Sequence, residues 1–315
     1  MLREREGSIL ILALWVLFFL AALTVAAAGH VWAVLQAADH LQSRVTARME
    51  ATSVAAWSVA VIEEHMQGGS ETNIWDGASA DAWNRDVSLF VLPREIQRGG
   101  SVHFTVADEE EPYGGIVGEE GRLHLNNRSP QYLQALFAYL GGEAGAQVAR
   151  ELFQVSADGD AGLTGNGDEA YDRHWFYSVE DLLLVDGVDA DLYARIAPHV
   201  TVYGKGDSIN VNSATHAVLV VYFLSTDDPE LAENAETLAE EIIAARQERG
   251  FVGRDDFEER FPALGRRVWA RGPLGVASTA FRGVAVGRDA SGETEREIEF
   301  VWDTISRQFV LWRER

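Results

Sequence analysis

Residues 8–38 read SILILALWVLFFLAALTVAAAGHVWAVLQAA, and no Asp, Glu, Lys or Arg stands between Gly7 and Asp39. An α-helix needs roughly 20 apolar residues to cross a bilayer, so this run is long enough. The leader MLREREG precedes it, and no proline interrupts the chain before Pro93. Three readings fit such a start. A secretory signal has a shorter apolar core and a small-residue cleavage site, which Ala26, Ala27 and Ala28 could supply. A signal anchor would keep Arg3 and Arg5 on the cytoplasmic side. In the third reading the chain is cut after Gly7, and a helix beginning at Ser8 stays in the membrane. His30 and Trp32 fall where that helix would leave the bilayer, an ordinary place for an interfacial aromatic.

Beyond the bilayer the helical pattern runs on to about Met66. Leu41, Val45, Met49, Thr52, Ala56, Val59 and Ile62 recur at spacings of three and four and predict one apolar stripe. Gln42, Arg44, Arg48, Glu50, Glu63 and Glu64 take the other faces, and Gly68-Gly69 ends the run. A helix over 8–66 would be about 90 Å long at ~1.5 Å per residue. Its upper half is either an amphipathic stalk or a helix that packs on a sheet of the same chain.

Strand signals flank a helical middle. Residues 87–92 and 102–106 are short, apolar and β-prone; far along the chain 278–286 and 295–302 are joined across Asp289-Ala290-Ser291-Gly292, and 308–312 follow. Along 295–302, Glu295, Glu297 and Glu299 alternate with Ile298, Phe300 and Trp302, which predicts an antiparallel meander with one wet face. Between them, 130–140, 144–153, 189–196, 214–224, 229–249 and 255–261 have helical spacing, and Ser178 with Asp181 forms a capping-box start. The expected fold is α+β: a long N-terminal helix packed on an antiparallel sheet, with a large all-α domain inserted. The expected organisation is a leader at 1–7, a helix at 8–66 with 8–30 in the membrane, a first sheet segment at 67–128, the helical insert at 129–271 and the last strands at 272–315.

The formal net charge of the 315 residues is −23 at pH 7, to which the leader and anchor contribute nothing. Such a surface repels phosphate backbones, so no nucleic acid is expected as a partner. The chain has no cysteine, which excludes disulfides, thiolate metal sites and cysteine nucleophiles and is compatible with a periplasm. The histidines are scattered, with no His-Glu-x-x-His, nucleophile elbow or phosphate loop, so no enzymatic activity is expected.

Three stretches together resemble a known family. They are the leader ending at Gly7-Ser8 before an unbroken apolar helix, RLHLNNRSP at 122–130, and FYSVEDLLLVDGVDADLYARIAPHVTVYGKGDSINVNSAT at 176–215. The chain is similar to the minor pseudopilins of type II secretion, specifically the general secretion pathway protein K family. The resemblance implies a pilin-like fold, cleavage between Gly7 and Ser8 by the prepilin peptidase and N-methylation of Ser8. It further implies a bacterial inner-membrane anchor with a periplasmic domain, and assembly with minor pseudopilins of the I, J and H families. Most pilin-like proteins carry Glu at the fifth mature residue, where it meets a neighbouring subunit's ammonium group; here that residue is Leu12. A subunit at a filament tip has no subunit ahead of it, and an unpaired carboxylate in lipid is costly, so Leu12 fits a tip position. Glu6 departs from the basic or uncharged residue expected before Gly7.

Two further stretches invite chemistry. SADGDAGLTGNGDEAYD at 156–172 spreads oxygen ligands over a glycine-rich loop, the donor type that calcium takes in sets of roughly six to eight. Asp158, Asp160 and Glu169 match positions 1, 3 and 12 of an EF-hand, but Gly162 and Leu163 break that pattern. The loop reads as a solvated acidic turn or as a calcium site on Asp158, Asp160, Asp168 and Glu169. The family's association with calcium favours the second reading. INVNSAT, followed by AEEIIAARQERGFVGRDDF, is similar to helix-hairpin-helix and SAM-like modules. The competing whole-chain reading is therefore a membrane-anchored periplasmic protein of that type, binding DNA or scaffolding another envelope complex. Its hairpin position at 224–229 has no glycine and two carboxylates, and acidic residues around it outnumber Arg246, Arg249, Arg254 and Arg260.

Overall fold

The computed structural model describes residues 4–67, 100–105, 113–127, 130–152, 176–206, 208–269 and 272–315. The strand expected at 87–92 and the acidic loop at 156–172 lie outside these residues. Helix α1 (Glu4–Gln67) is continuous, as the absence of proline and the run of strong helix formers require. Every residue from Leu10 to Gln42 is exposed, so among the described residues nothing covers the first half of α1. From Ala47 onward one face is seated on a sheet.

That sheet is built from β1 (Ser101–Phe104), β2 (Tyr113–Gly114), β3 (Val117–Gly118), β8 (Ala280–Arg288), β9 (Glu295–Asp303) and β10 (Gln308–Glu314). Strand order is β10-β9-β8-β1-β2, antiparallel throughout, with β3 also on β8. Strands from both ends of the soluble region therefore make one sheet. Its inner face (Val102, Ile116, Phe281, Ala285, Ile298, Phe300, Trp302) packs against Ala51, Val54, Ala55, Val59 and Ile62 of α1. Small residues line this seam for a reason visible at Gly287: a Cβ there would strike the backbone of Ala47 and Ala51. Helix and sheet meet backbone to backbone.

The face of α1 that is buried differs from the predicted stripe. Leu41, Val45, Met49, Thr52 and Ala56 are exposed, and only Val59 and Ile62 of the expected set point inward. The buried line is Ala47, Ala51, Val54, Ala55, Ser58 and Ile62. A hydropathy pattern weights bulk, whereas close approach to Gly287 selects for smallness. The wet sheet face is also corrected: Glu299 is buried, because the helical block and three arginines cover it.

The helical block contains α2 (Gln131–Leu152), α3 (Ala190–Ile196), α4 (His216–Leu224), α5 (Pro229–Glu233), α6 (Ala235–Glu248), α7 (Arg254–Arg260) and α8 (Gly265–Trp269). α2 is kinked at Gly142 (φ 60°, ψ −142°), where the sequence predicted a break. The segment capped by Ser178 and Asp181 is a 3₁₀ turn, Val179–Leu184, rather than an α-helix. The helix expected at 229–249 is divided at Asn234. α4 is apolar around its circumference and forms the centre of a core that runs from Leu123 to Val276.

Two short parallel ladders close this block: β4 (Leu123–His124) with β5 (Val200–Thr201), and β6 (Ile209–Asn210) with β7 (Leu274–Gly275). They reveal an internal repeat. Asn126, three residues after Leu123, accepts from the Phe176 N–H (3.0 Å) and donates to its carbonyl (2.8 Å). Asn212, three residues after Ile209, makes the same pair of bonds with Phe251 (2.8 and 2.9 Å). Five residues beyond each phenylalanine an aspartate caps the next turn: Asp181 accepts from Tyr177 N–H, and Asp256 from Val252 N–H. LHLN and INVN are thus equivalent stations in two copies of one unit. The copies differ in one respect. Residues 249–250 join α6 to Phe251, whereas the whole stretch 153–175, acidic loop included, stands between α2 and Phe176.

Candidate functional site

The first candidate surface is the free half of α1. Leu12 is 68% exposed there, and the apolar run long enough to span a membrane has none of its residues buried. Gly7 and Ser8 lie within α1. Above the span the unburied Leu41, Val45 and Met49 continue an apolar line along the helix.

The second is the junction where the helical block meets the outer face of the sheet. A short 3₁₀ turn, Glu119–Gly121, follows β3 and pushes two carboxylates into the interior. Glu119 accepts from Arg282 Nε (2.5 Å) and from the Thr201 hydroxyl, and lies 3.5 Å from Arg122. Burial pushes its carboxyl up, but Arg282 and Arg122 outweigh that and hold it at about 2. Arg282 reaches on to Glu299 (2.6 Å), which also receives Arg315 (2.7 Å) and Arg313 (3.7 Å). Arg313 in turn pairs with Glu180 of the helical block at 2.6 Å. The network thus ties β8, β9 and β10 to both the 3₁₀ turn and the inserted helices. Glu120 faces neutral donors instead, the N–H (2.8 Å) and hydroxyl (2.5 Å) of Thr279; burial raises its carboxyl. None of these residues carried a sequence signal beyond its charge, since each partner lies on another element.

Asp158, Asp160, Asp168 and Glu169 lie outside the described residues. Among the described residues no group of three or more His, Asp and Glu side chains is arranged to hold a metal ion. The arginines of the helix-hairpin-helix-like stretch are engaged internally. Arg246 is buried and donates to the carbonyls of Val211 (2.9 Å) and Ala214 (2.6 Å), and Arg260 donates to those of Arg249 and Ala245. Arg249 pairs with Asp256 and Arg254 with Glu258. Each of the four thus has a partner within the chain.

A helix with a free half long and apolar enough to cross a membrane, an antiparallel sheet seated on its other half and a helical insert define a pilin-like α+β fold. No family model matches the chain. Type II secretion system protein K of Pseudomonas aeruginosa is 26% identical over 217 residues, 64% of this chain and 60% of that protein's length. A chain of the GspK-GspI-GspJ complex from the enterotoxigenic Escherichia coli Type 2 Secretion System has the same fold, with a TM-score of 0.54 at 14% identity over 89% of this chain and 99% of that one. The first comparison agrees with the resemblance to the K family of type II secretion pseudopilins, and the second shows a shared fold.

Proposed function

We propose that this chain is a minor pseudopilin that stands at the tip of the type II secretion pseudopilus. There it starts assembly with minor pseudopilins of the I, J and H families and supports export of folded proteins across the outer membrane. The observation that carries the proposal is α1: one unbroken helix whose lower half is exposed on every side and whose upper half is fixed to its own sheet. A helix so divided presents lipid and other helices with a surface its own domain does not use. In this reading the prepilin peptidase cuts between Gly7 and Ser8, Ser8 is N-methylated, and the domain beyond His30 is periplasmic. Leu12 suits a tip subunit, because no neighbour's ammonium group has to be met. Its role is structural rather than enzymatic. Calcium on the 156–172 loop belongs to the same proposal, supported by the density of oxygen donors there and by the long stretch that the second repeat lacks.

N-terminal sequencing of the membrane-extracted protein tests the reading. A mature chain starting at methyl-Ser8 is expected. An intact Met1, or a start near Gly29, would overturn it in favour of a signal anchor or a secretory signal.

A further inference from the structure

The junction network carries more positive than negative charge, and one of its cations is poorly served. Arg122, Arg282, Arg313 and Arg315 are joined through Glu119, Glu180 and Glu299, four guanidinium groups to three carboxylates. Glu119 is committed to Arg282 and Thr201, which leaves Arg122 a single ion pair at 3.5 Å among the described residues. The side chain of Arg122 is only 17% exposed, and it lines a cleft of about 190 Å³ between the helical block and the sheet. Tyr193 and Tyr203 wall this cleft, and Arg313 stands at its rim with 44% of its side chain exposed. A largely buried guanidinium with N–H groups to spare is a strong, geometrically selective donor to a carboxylate. In a chain of net charge −23, a pocket with a local cationic excess focuses attraction on one place.

We propose that this cleft docks a carboxylate presented by a polypeptide, with Arg122 as its buried anchor and Arg313 at the entrance. Two observations favour a polypeptide over a free small acid. The turn that supplies Glu180 to the cleft wall also carries Leu184, 84% exposed, and begins next to Tyr177, 81% exposed. Neither lines the cleft itself; within four residues of Glu180, they offer apolar contact beyond it to whatever flanks the carboxylate, which a small acid could not use. The preferred ligand is thus an acidic residue with apolar neighbours.

The test uses the full chain in detergent micelles and two fluorescein-labelled hexapeptides, one with two central glutamates flanked by leucines and one with glutamines in their place. The glutamate peptide should bind at least tenfold more tightly than its glutamine twin. Arg122→Gln should abolish that preference, Arg313→Gln should reduce it several-fold, and Arg195→Gln on exposed α3 should leave it intact. Because Arg313 lies at the rim, its variant keeps the test open if Arg122→Gln fails to fold. Equal binding of the two peptides, no binding of either at millimolar concentration, or displacement by glutarate as effective as by the glutamate peptide would each overturn the proposal.

Discussion

Replacing Glu119 by Gln should cost the fold about 3 kcal/mol near neutral pH and should flatten its response to acid. The carboxyl is held at about 2 against an ordinary 4.5 because Arg282 and Arg122 outweigh its burial. Since the folded value lies below the unfolded one, this stabilisation is fully present above pH 4.5 and is lost as the pH falls toward 2. A displacement from 4.5 to about 2 corresponds to about 3 kcal/mol at ~1.36 kcal/mol per decade. Glutamine keeps the shape and a bond to Thr201, but leaves Arg122 without a carboxylate and Arg282 with Glu299 alone. Stranding a buried charge in this way costs about 3–5 kcal/mol elsewhere, in line with the value from linkage. Urea unfolding of the full chain in micelles, followed by tryptophan fluorescence at pH 7 and pH 3, measures both effects. Glu120 is the internal control. Burial raises its carboxyl, and the neutral donors of Thr279 and Ala280 only partly offset this. Its contribution has the opposite sign: it is present at low pH and lost as the pH rises through the folded value. Glu120→Gln should therefore cost less than Glu119→Gln at pH 7. The reasoning is refuted if Glu119→Gln is as stable as the parent at pH 7, or if Glu120→Gln is the more damaging change.

Gly287→Ala should destabilise the chain by about 1–3 kcal/mol, because its new Cβ meets the backbone of α1, which cannot rotate away. Gly114→Ala, with nothing near its Cβ, should stay within about 0.5 kcal/mol in the same urea titration. Changing Leu41, Val45 and Met49 together to Ser should leave unfolding within about 0.5 kcal/mol, since all three are exposed, yet should abolish co-purification with partner pseudopilins; retained co-purification would count against the assembly role of this line. Calcium at a hundredfold excess over its dissociation constant should stabilise by about 2.7 kcal/mol, seen as a rise in Tm that EDTA reverses and Asp158→Asn with Asp160→Asn removes. No shift on adding calcium to the parent chain would remove the metal from the proposal.

What could be read from the sequence followed from periodicity over long spans. The membrane-length run, the alternation at 295–302 and the distant strands on either side of a helical block each leave a repeating signal, and together they yield the pilin-like layer. Misreadings arose where a property other than hydropathy governs packing. Alanines at 47, 51 and 55 score weakly as a stripe, yet they form the face that Gly287 admits. Glu299 alternates as a surface residue should, but Arg282, Arg313 and Arg315 come from other strands and the C-terminus to bury it. The two copies within the helical block share little beyond Leu-x-x-Asn or Ile-x-x-Asn and Phe-x-x-x-x-Asp, and the long 153–175 stretch in the first copy hides their common spacing.

The division of α1 into two faces separates folding from the assembly proposed above. Val54, Ala55 and Ile62 are committed to the sheet, and their burial supports the domain whether or not any other subunit is present. Leu41, Val45 and Met49 do nothing for that core, so evolution of the chain could keep or change them without touching its stability. Large apolar side chains held in water on a rigid, fully formed helix are costly to solubility and supply no contact within the chain. Their free energy is recovered only when another apolar surface covers them. In the proposed assembly the helix reaches its neighbours preformed: the ordering cost of more than sixty residues is met by its own sheet and by lipid before any contact is made. The insert is tied to the sheet through the Thr201 hydroxyl on Glu119 and the Glu180–Arg313 pair, so whatever seats α1 also sets the position of the helical block above it.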